Sequence, residues 1–366
     1  MTPLAEVALA FLRLGVTSFG GPPAHVAMME DELVRRRAWV TRERFLDFLG
    51  ATHLIPGPVS TEMALHLGRA RAGMTGLVVA GLCFLLPAAL MTGVLAWAYV
   101  RWGTLPTAGE ILYGVKPVVI ALVVQALWGL GRSAVRTLPL AVVAAASAAS
   151  AAMGAHELLV LVAAGLAAAL ARAGGLSAVA VAPLAAPAAL AAPSLAGIFG
   201  FFLKVGAVLY GSGYLLLAFL RADLVERWRW LTETQLLDAV AVGQITPGPL
   251  SSTATFVGYL LRGPAGAVVA TAGIFLPAFV LVALSGPLIP RIRRSPTAGA
   301  FLDGVNAASL ALMAVVGVQL GRAAIVDVWT LGLAAASAVL LLAFRVSSAW
   351  LVAGGALAGW LIHRFM

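Results

Sequence analysis

Pro56-Gly57-Pro58-Val59-Ser60-Thr61 lies in the middle of apolar sequence, and Pro247-Gly248-Pro249-Leu250-Ser251-Ser252 lies in the same setting farther along the chain. The surroundings repeat with them. Residues 11–60 align with the sequence 191 positions later (56 to 247), matching Gly15/Gly206, Gly20/Gly211, Arg36/Arg227, Trp39/Trp230, Thr41/Thr232, Asp47/Asp238 and the whole triplet. After a one-residue slip the match continues through Gly73/Gly263, Gly76/Gly266, Pro87/Pro277, Gly114/Gly304 and Leu130-Gly131-Arg132/Leu320-Gly321-Arg322. The chain is an internal duplication. Two like halves with helix-breaking residues at matched apolar depth are the pattern of a secondary transporter, whose substrate site is built from interrupted helices at the repeat interface.

Composition sets the solvent. Hydrophobic residues make up 61% and charged residues 11%, against about 25% charged in soluble domains, so the chain reads as an all-α integral membrane protein. Apolar runs near or above the roughly 20 residues that cross a bilayer fall at about 74–100, 111–131, 139–153, 155–171, 197–219, 264–290, 300–320, 325–344 and 346–362, with the more amphipathic 4–28 as the mate of 197–219. No basic residue precedes the first of these, so it reads as a retained span rather than a cleaved signal. Cys83 is the only cysteine, which excludes an intramolecular disulfide and leaves a small apolar residue within a span. The net charge of +9 does not point to nucleic acid: all Lys and Arg except Arg13, Lys116 and Lys204 lie between apolar runs, where they orient the protein in the bilayer.

The arginines choose between two topologies. If residues 45–68 dip into the membrane, break at the triplet and return, and 236–259 do the same, each half has five crossings plus a re-entrant hairpin, and the halves are inverted. One face then holds Arg35, Arg36, Arg37, Arg42, Arg44, Arg69, Arg71, Arg132, Arg136, Arg172, Arg291, Arg293, Arg294 and Arg345. The other holds only Arg101, Arg221, Arg227, Arg229, Arg262, Arg322 and Arg364. Parallel halves remove this bias, so the positive-inside rule favours inverted repeats with the richer face cytoplasmic. The domains on this reading are residues 1–172, a connector at 173–196 containing Pro183, Pro187 and Pro193, and residues 197–366.

A Pro-Gly-Pro within a bilayer removes two backbone donors and frees nearby carbonyls, which only surrounding protein or trapped water satisfies. Ser60-Thr61 and Ser251-Ser252-Thr253 are placed to cap the helices that restart, and those N-termini aim free N–H groups and positive dipole ends inward, an anion site. The first span is interrupted too, at Phe19-Gly20-Gly21-Pro22-Pro23 and Tyr210-Gly211-Ser212-Gly213. The substrate-binding set is therefore Gly20, Gly21, Pro56, Gly57, Pro58, Ser60, Thr61, Gly211, Pro247, Gly248, Pro249, Ser251 and Ser252, joined by the repeat-mate cations Arg13 and Lys204. Lys116, matched by Asn306, is a further candidate. Glu62 and His53, whose mates are Thr253 and Gln244, are the candidates for proton coupling, with His66, Asp47 and Asp238 at comparable depth and Asp303 farther on. Asp47 and Asp238 read as caps of the hairpin helices. No residue cluster has metal-ligand spacing and no phosphate loop follows a strand, so no cofactor or metal is implied.

In these residues, namely Phe19-Gly20-Gly21-Pro22, the acidic-then-Arg loop leading to Trp39, Pro56-Gly57-Pro58, Phe84-Leu85-Leu86-Pro87 and the degenerate second copy, the chain resembles a long-chain, two-domain member of the chromate ion transporter (CHR) superfamily. The resemblance covers nearly the whole chain. It implies a multi-pass inner-membrane protein that exports chromate, confers chromate resistance, is driven by the proton motive force and meets sulfate as a competitor. Its partners are chromate and the bilayer, with no nucleic acid, and a homodimer is compatible with it. Tyr210-Gly211-Ser212-Gly213 departs from the family pattern by lacking the proline of Gly21-Pro22. Sulfate or another oxyanion is the alternative substrate. An intramembrane lipid-phosphate phosphatase is the alternative of another class, but it needs an activated nucleophile or metal-binding carboxylates, and Glu62 near Ser60 is thin support.

Overall fold

The computed structural model describes residues 2–103, 105–172, 192–210, 213, 215–293, 295–344 and 346–365, and these form helices with no strand among them. In the first half the helices are α1 (Pro3–Thr17), α2 (Gly21–Met29, prolonged by π-helical turns over Glu30–Arg36), α3 (Arg42–Thr52), α4 (Val59–Trp102), α5 (Pro106–Ala134), α6 (Leu138–Ala152) and α7 (Glu157–Arg172). The second half repeats them as α8 (Leu195–Val208), α9 (Leu215–Phe219, with π-helical turns over Leu220–Arg227), α10 (Glu233–Ile245), α11 (Thr253–Arg293, after a tight turn at Leu250–Ser252), α12 (Pro296–Ala324), α13 (Val328–Leu342) and α14 (Ser348–Phe365). Stretches of α4, α5, α11 and α12 are long and apolar enough to cross a membrane.

Local chemistry sets the helix starts. The Thr41 hydroxyl accepts from the Arg44 N–H at the start of α3, and Thr232 forms a reciprocal capping box with Gln235 at the start of α10. Asp47 and Asp238, expected as caps, lie inside these helices instead, because a threonine already occupies the cap position. Ser60 and Thr61 do not cap either: α4 begins at Val59, with Pro58 before it and no side-chain cap bond.

Each long helix folds back on itself. Ala72-Gly73 in α4 and Arg262-Gly263 in α11 leave helical geometry, the glycines at φ +65° and +62°, which L side chains rarely adopt. The chain reverses there. Thr255 and Thr271, on either side of the second turn, share a hydrogen bond of 2.7 Å, and Gly68 meets Gly76 across the first as Gly258 meets Gly266 across the second. The short arm 59–72 also runs antiparallel to α3, with the Phe48 ring stacked on His66 at 5.2 Å. Residues 42–72 are thus a helical hairpin with the triplet at its tip, and 233–262 repeat it, with Gly243 against the Thr253 hydroxyl.

The first apolar stretch differs from expectation. Arg71, at the base of the short arm, pairs with Glu6 at 2.6 Å and lies 5.4 Å over the Trp39 ring, so α1 begins at the end of the molecule to which α2 returns. Residues 4–28 are two arms of a broken hairpin, not one crossing, because Gly20 and Gly21 at φ +100° and +78° turn the chain before it gets through. Inversion of the halves therefore rests on direct geometry rather than on a count of crossings. The repeat mates α5 and α12 run side by side in opposite directions, with Ile120 beside Gly321, Val123 beside Gly317 and Leu310 beside Gly131.

In lipid, helices associate through close backbone approach rather than hydrophobic drive. Gly114 of α5 meets Gly355 and Gly359 of α14, and its mate Gly304 of α12 meets Ala164 of α7. Gly15 of α1 lies against the Cys83 and Phe84 carbonyls, the first of them freed by Pro87, and Gly206 of α8 lies against the Ile274 carbonyl of α11. Gly200, on the same helix as Gly206, has open space where a Cβ would go. Gly206→Ala is therefore expected to lower the unfolding temperature in detergent, with about 1–3 kcal/mol of overpacking, whereas Gly200→Ala leaves it unchanged or raises it.

Candidate functional site at the crossed hairpin tips

The two triplets reach across the repeat interface. Gly57 N–H donates to the Leu209 carbonyl at 2.8 Å and Gly248 N–H donates to the Ser18 carbonyl at 2.7 Å. Ser18 and Leu209 are the C-caps of α1 and α8, and they are repeat mates. Each triplet, with one donor between two prolines, thus satisfies a carbonyl orphaned where the other half's first arm breaks. Both glycines sit at positive φ, +152° and +97°. Gly57 faces the Glu62 carboxyl and Ala278, next to Pro277, while Gly248 faces Ala88, next to Pro87, so each tip also packs on the other half's proline-containing arm. The N–H groups of Gly57 and Gly248 are consequently engaged, which leaves the anion site expected at the tips to the restarting helix N-termini and side chains around them. By helix geometry, the N–H groups without an intrahelical partner near the tips belong to the first turns of the restarting helices, such as Ser60 and Thr61 of α4. In the turn after Pro249 the Ser252 N–H already donates to the Pro249 carbonyl at 2.9 Å.

Around these tips lies a set of polar side chains cut off from solvent. Ser60, Thr61, Glu62, Ser251, Ser252 and Thr253 are each at most 1% exposed. The hydroxyls of Thr61, Ser251, Ser252 and Thr253 and both carboxyl oxygens of Glu62 have no hydrogen-bond partner. Ser60 shares a 2.9 Å hydrogen bond with Nδ1 of His25, a fully buried residue whose Nε2 is unpartnered, as is the Ser18 hydroxyl. His25 was not singled out in the sequence; its signal was a histidine just after Pro22-Pro23 in a broken apolar stretch. His53 caps the end of α3 and, with Leu54 and Tyr210, lines one side of a 440 Å³ cavity whose other side carries Asp303, Asn306, Ser309 and Arg136. His66 stacks on Phe48 within the first hairpin. Gly211 and residues 173–191 of the connector lie outside the described residues.

The cations stand elsewhere. Arg13 is exposed, in a groove with Thr17, Asp31, Glu32 and Arg36. Lys204 is ion-paired with the buried Asp223, which also binds Arg227, and Arg227 approaches Glu157 at 3.8 Å. The structure therefore does not converge Arg13 and Lys204 on the triplets: one faces outward, and Asp223 already offsets the other. Beside this cluster, in the loop before α7, burial first and then the Arg227 guanidinium hold the His156 imidazole below its ordinary value. Lys116 pairs with Asp238 at 3.0 Å, and the Tyr99 hydroxyl donates to the same carboxylate at 2.8 Å. Asp47 is exposed on α3.

An interior made of interrupted helices at the interface of two inverted halves defines a membrane transporter fold. The chromate transporter family model matches this chain twice, over residues 5–170 and 196–360, and the chain belongs to that family. It is 35% identical to a chromate transport protein of Cupriavidus metallidurans over 97% of this chain and 92% of that one. It is also 35% identical to a chromate transport protein of Pseudomonas aeruginosa over 96% and 91%, and 32% identical to a probable chromate transport protein of Synechococcus elongatus over 89% and 87%. No solved structure matches it.

The Asp223 cluster makes a structural claim that can be checked. Removing the carboxylate by Asp223→Ala leaves Lys204 and Arg227 as like charges without their shared partner, and breaking such a buried pair costs about 3–5 kcal/mol. A clear fall in unfolding temperature is expected. An unchanged unfolding temperature would mean that Lys204 does not depend on Asp223 and is free for another partner.

Proposed function

We propose that this protein is a secondary active transporter that exports chromate across the inner, plasma membrane and so confers chromate resistance, with residues 1–172 and 197–366 as its inverted repeats and 173–196 as their connector. The observation that carries the reading is the buried, partnerless hydroxyl set of Thr61, Ser251, Ser252 and Thr253 at the crossed tips. Leaving such groups unmet costs about 1–3 kcal/mol each, so a site built of them is built for a polar guest. Chromate is a tetrahedral dianion that presents only oxygens, and hydroxyls, open N–H groups and helix N-termini suit that shape. The names of the relatives support the same substrate. Recognition then comes from Gly20 and Gly21, Ser60 and Thr61, and Ser251 and Ser252, with the two triplets holding these groups in place.

Flux into proteoliposomes tests this, with chromate, sulfate and molybdate compared. Gly57→Ala and Gly248→Ala each place a Cβ at positive φ against a packed neighbour, so both are expected to lose most chromate flux at normal membrane levels. Gly129→Ala, with open space around it, is expected to retain it. Sulfate carried faster than chromate would move the assignment to a sulfate transporter.

The coupling group on this reading is Glu62, with His53 second. A dianion leaving an inside-negative cell gains about 2.3 kcal/mol per charge per 100 mV, roughly 4.6 in all, so the potential alone suffices energetically and proton exchange is a separate question. If Glu62 exchanges a proton, flux responds to the pH gradient at fixed potential and Glu62→Gln abolishes that response. Flux that follows potential alone and is unchanged in Glu62→Gln removes Glu62 from the mechanism. Orientation has its own test. Cysteines at Ala38 and Glu226 in a Cys83→Ala background are expected on opposite faces, with Ala38 cytoplasmic. Equal labelling of both by an impermeant reagent on intact cells rules out this topology.

A further inference from the structure

The two approaches to the hairpin tips are equivalent by the repeat, yet they differ in this structure. At one end, α10 packs along α5, Lys116 reaches Asp238 at 3.0 Å and Tyr99 clasps the same carboxylate at 2.8 Å. Both charged side chains are largely covered, 17% and 3% exposed. Beneath them the Tyr99 ring packs on Phe256 at 5.3 Å, and Thr92 bonds Thr246 next to the second triplet. At the other end the repeat mates are α3 and α12, and there the 440 Å³ cavity lies between His53-Leu54 and the face of α12 from Gly299 to Met313. The mate of Lys116 is Asn306, which lines that cavity. The ammonium that closes one approach has no counterpart on the other.

We infer that Lys116 and Asp238, braced by Tyr99, form an oxyanion-responsive gate on the side opposite the open cavity. While the gate is shut, Asp238 engages the Lys116 ammonium, and the repeat mate of that lysine, Asn306, carries no charge. Once it opens, Lys116 faces the path of the departing dianion. The anion thus interacts better with the opened state, and a ligand shifts a conformational equilibrium by that difference and no more. With the Arg35–Arg44 loop in the cytoplasm, the cavity receives chromate from inside and the ion pair guards the exit. The identity of the ligand rests on the proposed oxyanion transport; the ion-pair latch does not.

The test uses Thr92→Cys in the Cys83→Ala background, a position buried between the second triplet and the gate. An impermeant maleimide is applied from the exit side to the full-length protein in proteoliposomes. Labelling is expected to be slow, and to quicken on adding chromate. Lys116→Asn, which copies Asn306, is expected to raise the rate without chromate about tenfold, the change that about 1.4 kcal/mol of lost latch energy produces. Further addition of chromate then gives little increase. The charge exchange Lys116→Asp with Asp238→Lys is expected to restore slow labelling, which separates a charge latch from mere packing. Tyr99→Phe, a milder change, is expected to raise the rate less, and size-exclusion elution identifies any variant that has not folded. Labelling in Lys116→Asn equal to that of the parent overturns the gate. If Lys116→Asn labels faster but chromate never alters the parent, the latch stands and the oxyanion assignment falls.

Discussion

The crossed pair of hydrogen bonds from Gly57 to the Leu209 carbonyl and from Gly248 to the Ser18 carbonyl is the constraint from which the rest of the interior follows. A broken helix in lipid exposes carbonyls that nothing in the hydrocarbon can satisfy. Here each break is completed by the other half, so neither half has a finished interior alone. Once the tips are joined, the hydroxyls of the first turns beyond them are fixed close to the repeat interface, and the proline-containing arms pack around them. The long arms reverse at Gly73 and Gly263 so that each tip can reach mid-depth while its helix still crosses the membrane.

Asymmetry is layered on this shared frame. Glu62 stands where the second half has Thr253, His53 where it has Gln244, and Lys116 where it has Asn306. Each substitution places a titratable or charged group in one half only. The first two gather around the first triplet and its cavity, and the third sits at the far end in an ion pair with Asp238. Two equivalent routes to one centre have thereby become chemically different routes.

The duplication, the membrane setting and the broken elements were legible in the sequence because a Pro-Gly-Pro in apolar surroundings cannot continue a helix, and its repetition fixes the register. The crossing of the triplets onto the opposite half was not legible, since a backbone donor and a backbone carbonyl leave no residue signature. Residues 4–28 look like a single span for a related reason: Gly20 and Gly21 mark a break, but not that the chain turns back after it. Arg13 and Lys204 look alike as repeat mates, yet Glu32 and Asp223, also mates, lie differently around them, and only the packing reveals that Lys204 is already partnered. His25 has no sequence signature, because one histidine in an apolar run carries no pattern without Ser60 beside it.

A junction made only of main-chain atoms is indifferent to the side chains nearby. Mutations that alter chemistry at Glu62, His25 or Lys116 leave the Gly57 and Gly248 bonds formally intact, so the two halves can drift apart in composition without losing their register. Such a frame is permissive to innovation. One copy can explore acids, imidazoles or amides while the other preserves the architecture, and selectivity among tetrahedral anions becomes a trait that changes a residue at a time.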